Sequence, residues 1–70
     1  MNRKYTAVIK RDGPWWIGWI EEVPGVNCQE QTREELLETL RVTLAEILEL
    51  NRREALASAG ASYEEQPIEV

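Results

Sequence analysis

Residues 32–50 read TREELLETLRVTLAEILEL, and this stretch decides how the chain is built. Thr32 carries a hydroxyl suited to cap a helix. Glu35, three residues on, completes a capping box by reaching back to the Thr32 amide. Glu34 and Glu35 fall in the first turn, where the helix dipole favours negative charge. Leu36, Leu37, Leu40, Leu44, Ile47 and Leu48 recur at helical spacing and form one apolar stripe. Glu38, Arg41, Glu46 and Glu49 fall largely off it. Burying such a stripe contributes roughly 10–15 kcal/mol before entropy is subtracted. The pattern predicts a helix that continues with weaker amphipathicity through residues 51–57 and stops at Gly60, a residue suited to the position just past a helix end.

A single amphipathic helix needs an apolar surface to lie on, and the residues before it supply one. Residues 4–11, KYTAVIKR, alternate as a strand, with Tyr5, Ala7 and Ile9 on one side and Thr6, Val8 and Lys10 on the other. Asp12-Gly13-Pro14 is a turn signal, so residues 15–22, WWIGWIEE, are expected to return as the second arm of an antiparallel hairpin. This second strand is apolar on both sides. Trp15, Ile17 and Trp19 share one face; Trp16 and Ile20, separated by Gly18, share the other. A strand of that kind needs cover on both faces, and the chain has one helix to offer. The face left over is expected to be an interaction surface. After a turn at Val23-Pro24-Gly25, residues 26–31 predict a short third strand leading into the Thr32 cap. Residues 67–70, PIEV, read as a short final strand, with Pro67 at its start or on an edge.

Seventy residues make one small domain, too small to bury a large core alone, so self-association is expected. The charge is uneven. Residues 1–11 hold Arg3, Lys4, Lys10 and Arg11 and no acid; the rest holds four basic and all thirteen acidic residues. An acidic body disfavours nucleic acid, whose phosphates dominate affinity, and suits a basic protein partner. The same charge also serves plain solubility. No stretch reads as a signal peptide or a membrane span, and the lone Cys28 fits a reducing compartment. A cytoplasmic protein is therefore expected.

The residues for most catalytic chemistry are missing. There is no histidine, Cys28 has no second cysteine beside which to bind zinc, and neither a phosphate-cradling loop nor a nucleophile elbow occurs. Cys28 reads as a small core residue. Carboxylates remain: Glu21 and Glu22 at a strand end, and Glu34, Glu35 and Glu38 at the helix start. Convergence of these two groups on a divalent cation would make the chain a metal-dependent hydrolase. The simpler assignment is a cap for Glu35, the helix dipole for Glu34, and solvation for Glu21 and Glu22.

In order and spacing, Tyr5-Thr6-Ala7-Val8-Ile9, Trp16-Ile17-Gly18-Trp19-Ile20, Glu22-Val23-Pro24-Gly25-Val26 and Thr32-Arg33-Glu34-Glu35-Leu36 resemble the HicB family of antitoxins, over about residues 4–50. The resemblance implies an α+β domain with a partial ribonuclease-H-like β-β-β-α-β fold: an antiparallel sheet with one long helix packed on one face. It implies no nuclease activity; with no histidine and a single cysteine, neither a cofactor nor a metal site is expected. The implied role is to neutralise a small, basic, mRNA-cleaving HicA-type toxin by covering its active surface. Three positions depart from the family pattern. Glu21 stands where a proline precedes the turn, Glu30-Gln31-Thr32 replaces a Gly-x-Thr helix entry, and Leu36 replaces an alanine. The 70 residues are read as a single domain without the separate DNA-binding domain that many members carry. The partner surface expected from the sequence is the exposed face of the second strand with its acidic end, Trp16, Ile20, Glu21 and Glu22. Trp15 and Trp19 exchange roles with Trp16 and Ile20 if the other face meets the helix. A stand-alone homo-oligomer of the same fold, with sheet faces paired to each other, is the alternative.

Overall fold

The computed structural model describes residues 4–70; residues 1–3, including the Arg3 charge, lie outside the described residues. The chain runs β1 (Ala7–Asp12), β2 (Trp15–Ile20), β3 (Asn27–Glu30) and α1 (Arg33–Ala59). The strands form one antiparallel sheet in the order β1-β2-β3, with the helix on one face, so the fold class is α+β.

Local chemistry sets each boundary. Asp12 pairs with Trp15, which leaves Gly13-Pro14 as a two-residue connection. Gly13 adopts φ +60°, a conformation costly for residues with a Cβ. Glycine in first place is the pattern of a type II′ hairpin turn, whose twist matches the flanking strands. The second connection bends at Gly25, φ +90°, and tucks Val23 and Val26 into the core. At the helix start the Thr32 Oγ1 accepts the Glu35 amide at 3.1 Å and donates to Glu35 Oε1 at 2.9 Å. The Glu35 carboxylate is thus held by the capping hydroxyl rather than by the Thr32 amide, which is a tighter local ring than the capping box expected. Thr39 ties the helix back to β3 by donating to Glu30 Oε2 at 2.7 Å.

The core lies between sheet and helix: Ile20, Val23, Val26, Leu36 and Leu40, with Leu44, Ile47 and Leu48 packed against it. Leu36 is fully buried, whereas Leu37 sits at the edge of the stripe and is exposed. Gly18 makes the close approach possible. A Cβ there would lie 3.0 Å from the Val8 carbonyl oxygen and from Ile9 Cγ2, and 3.1 Å from Leu40 Cδ1. The helix is about 40 Å long against strands of about 13–20 Å, so its C-terminal part, beyond Leu48, overhangs the sheet. From Glu49 to Ala59 only Leu56 is even half-buried. The final strand expected at residues 67–70 is not formed; these residues lie outside any helix or strand and are exposed.

Candidate interaction face

Strand register fixes what each face of the sheet presents. Ala7 opposes Ile20, Ile9 opposes Gly18 and Arg11 opposes Trp16, while Gly18 opposes Cys28 and Trp16 opposes Glu30. Because side chains alternate, these residues share the face of the sheet on which the helix packs, chiefly over β2 and β3. Ile20 is 6% exposed within the core. Trp16 packs against that core, and the Arg11 guanidinium lies over its ring at 5.5 Å. Cys28 is half-buried on the same side, with its Sγ 3.7 Å from Thr43 Oγ1.

No described residue packs over the opposite face. Val8 faces Trp19, Lys10 faces Ile17 and Asp12 faces Trp15; on the far side Trp19 faces Asn27 and Ile17 faces Gln29. The result is an apolar band of Val8, Trp15, Ile17 and Trp19, with Lys10 and Asp12 along one flank and Asn27 and Gln29 along the other. Trp15 is 38% exposed and Trp19 37%. Ile17 and Trp19 also line a shallow depression with Asn27 and Gln29. Aromatic anchors in a band rimmed by polar groups are the composition of a protein-binding patch.

This placement corrects the surface read from the sequence. Trp16 and Ile20 are on the covered face, and Trp15 and Trp19 take the outward positions together with Ile17. Gly18 held the deciding signal. It shares a face with Trp16 and Ile20, and a helix that packs this closely needs the side without a Cβ. Glu21 and Glu22 sit in the turn after β2. Glu21 donates its amide to the Thr6 carbonyl at 2.9 Å, and the Glu22 carboxylate accepts the Thr6 amide at 2.7 Å. That backbone N–H holds the Glu22 carboxyl below the usual glutamate range. Glu22 therefore fastens the open end of the hairpin as well as facing solvent.

The two acidic groups do not meet. Glu22 lies beside Thr6 at one end of the sheet, whereas the helix start lies at the other, where Glu30 opposes Trp16. Among the described residues, no three His, Cys, Asp or Glu side chains are grouped to hold a metal ion. On the helix, Glu38 is bound by Arg41 at 2.6 and 3.2 Å, which lowers the carboxyl pKa and raises that of the guanidinium. No described helix is long and apolar enough to cross a membrane. Comparison with family models, curated proteins and solved structures finds no match in any of the three.

Proposed function

We propose that the chain is a binding module of HicB antitoxin type, which neutralises a small basic HicA-type ribonuclease by occupying its active surface. The observation that carries the proposal is the second strand: it is apolar on both faces, and the described residues cover only one. Trp15, Ile17 and Trp19 supply aromatic and aliphatic anchors, the residue types that dominate binding energy in interfaces. The surplus of acidic residues steers a basic partner toward the chain and has little effect once it is docked. The ordered motifs from Tyr5 to Leu36 and the β-β-β-α path are consistent with the family. The partial ribonuclease-H-like form of that fold adds one more strand after the helix, and residues 67–70 are the segment suited to it.

Native co-purification from the source cell, followed by mass spectrometry, tests this reading. A small basic protein should accompany the chain in equal amount, and its cleavage of mRNA should cease when the chain is added back. Recovery of the chain alone, or of a companion whose ribonuclease activity the chain leaves untouched, would refute it.

A further inference from the structure

A second unfilled site lies along β1. The helix rests on β2 and β3, so the inner side of β1 lies beside α1 rather than beneath it. Between them runs a groove lined by Tyr5, Ala7, Leu37, Leu40, Leu44 and Arg41. β1 pairs with β2 alone among the described strands, so one whole edge of its backbone is open, a template for another strand. Groove and edge together have the form of a strand-acceptor site: backbone groups to hydrogen-bond, and an apolar channel for every second side chain.

Residues 60–70 have the complementary form. Gly60, φ +84°, turns the chain after the helix, and Glu65 returns to meet Arg52 at 3.6 Å. Every residue from 60 to 70 is exposed, Ile68 at 75%. Pro67 has no N–H and suits a strand start; Ile68 and Val70, two apart, present one apolar side. Charge matches as well. The segment carries Glu64, Glu65 and Glu69 and no basic residue, whereas the approach to β1 and the strand itself carry Lys4, Lys10 and Arg11 against Asp12.

We propose that residues 67–70 of a second copy add to the free edge of β1 as a fourth strand, with Ile68 and Val70 in the groove, and that the exchange is reciprocal. Each copy then uses one groove and one segment, and the assembly closes as a two-fold dimer. Area supports a second copy. The chain exposes 5814 Å², against about 4,500 Å² for a compact monomer of its mass. The excess is larger than the roughly 800 Å² each partner gives to a stable interface. The Cα radius of gyration, 15.1 Å, likewise exceeds the about 11 Å of a compact 70-residue domain. Folding the segment onto its own sheet would fill the groove but leave the helix from Glu49 to Ala59, exposed except at Leu56, bare. The exchange involves this chain alone and leaves the bare face of β2 free.

Sedimentation equilibrium on the purified 70-residue chain and on an Ile68→Lys/Val70→Lys variant, with amide hydrogen exchange on both, tests it. The expected result is a dimer with protected β1 amides in the parent chain. The variant should keep its circular dichroism, lose the protection and dissociate at least 100-fold more readily. A parent chain that is monomeric, with or without protected β1 amides, or a dimer that survives the double substitution, would overturn the exchange.

Discussion

The two faces of β2 carry nearly the same chemistry and meet different fates. Trp16, Gly18 and Ile20 lie under α1, with Ile20 in the core; Trp15, Ile17 and Trp19 lie on a bare sheet. Hydrophobicity does not distinguish them. The difference is one missing Cβ: Gly18 lets Leu40 descend onto the strand on one side only. An apolar residue therefore reports that a surface will be covered, while the smallest residue on a face reports where the helix does the covering.

The largest expected effect falls on binding. Trp19→Lys should weaken partner association at least 100-fold, measured by titration calorimetry with the co-purified protein, because it places a charge in the centre of the anchor band. The same titration with Glu38→Gln, on the helix side, should change affinity little. Next comes the covered side: Leu36→Ala should cost about 2–5 kcal/mol in urea unfolding, since a fully buried side chain leaves a cavity. Gly18→Val should cost about 1–3 kcal/mol, through overpacking against Ile9, Leu40 and the Val8 carbonyl, while leaving the bare face chemically unaltered.

Smaller effects mark the edges of the comparison. Thr32→Ala removes the acceptor for the Glu35 amide and should cost about 1 kcal/mol of thermal stability. The Glu22 carboxyl titrates lower in the folded chain than in the unfolded one. Its stabilisation is therefore complete above the ordinary glutamate range and is lost as pH falls through that range and below it. Glu22→Gln should flatten this acid limb of the stability–pH curve. An unchanged limb would show that the Thr6 contact contributes nothing.

Much of this was legible in the residues themselves. The helix start and the hairpin with its tight turn follow from Thr32, Glu35, Gly13 and the strand-forming runs on either side of that glycine, all local signals. The helix stripe was legible too, except that Leu37 lies at its rim. Val23 and Val26 were harder to place, because residues around a Pro-Gly turn enter the core through tertiary folding of the loop rather than through periodicity. The orientation of β2 was written in Gly18, yet alternation alone is symmetric and cannot say which side the helix takes. Residues 67–70 have the pattern of a strand and form none within the described chain. Strand pattern gives the capacity to pair; a partner edge must still be met.

The most direct test of the central claim, that one side of β2 is core and the other is surface, substitutes two neighbours on opposite faces. Urea unfolding of Trp19→Lys and Ile20→Lys, followed by circular dichroism, reads the faces separately. The account predicts that Trp19→Lys folds and unfolds cooperatively, because its ammonium reaches water from the bare sheet. Ile20→Lys should lose the native state, because it buries a charge beneath α1 without a partner. A folded Ile20→Lys beside an unfolded Trp19→Lys would contradict the account and reverse the assignment of the two faces.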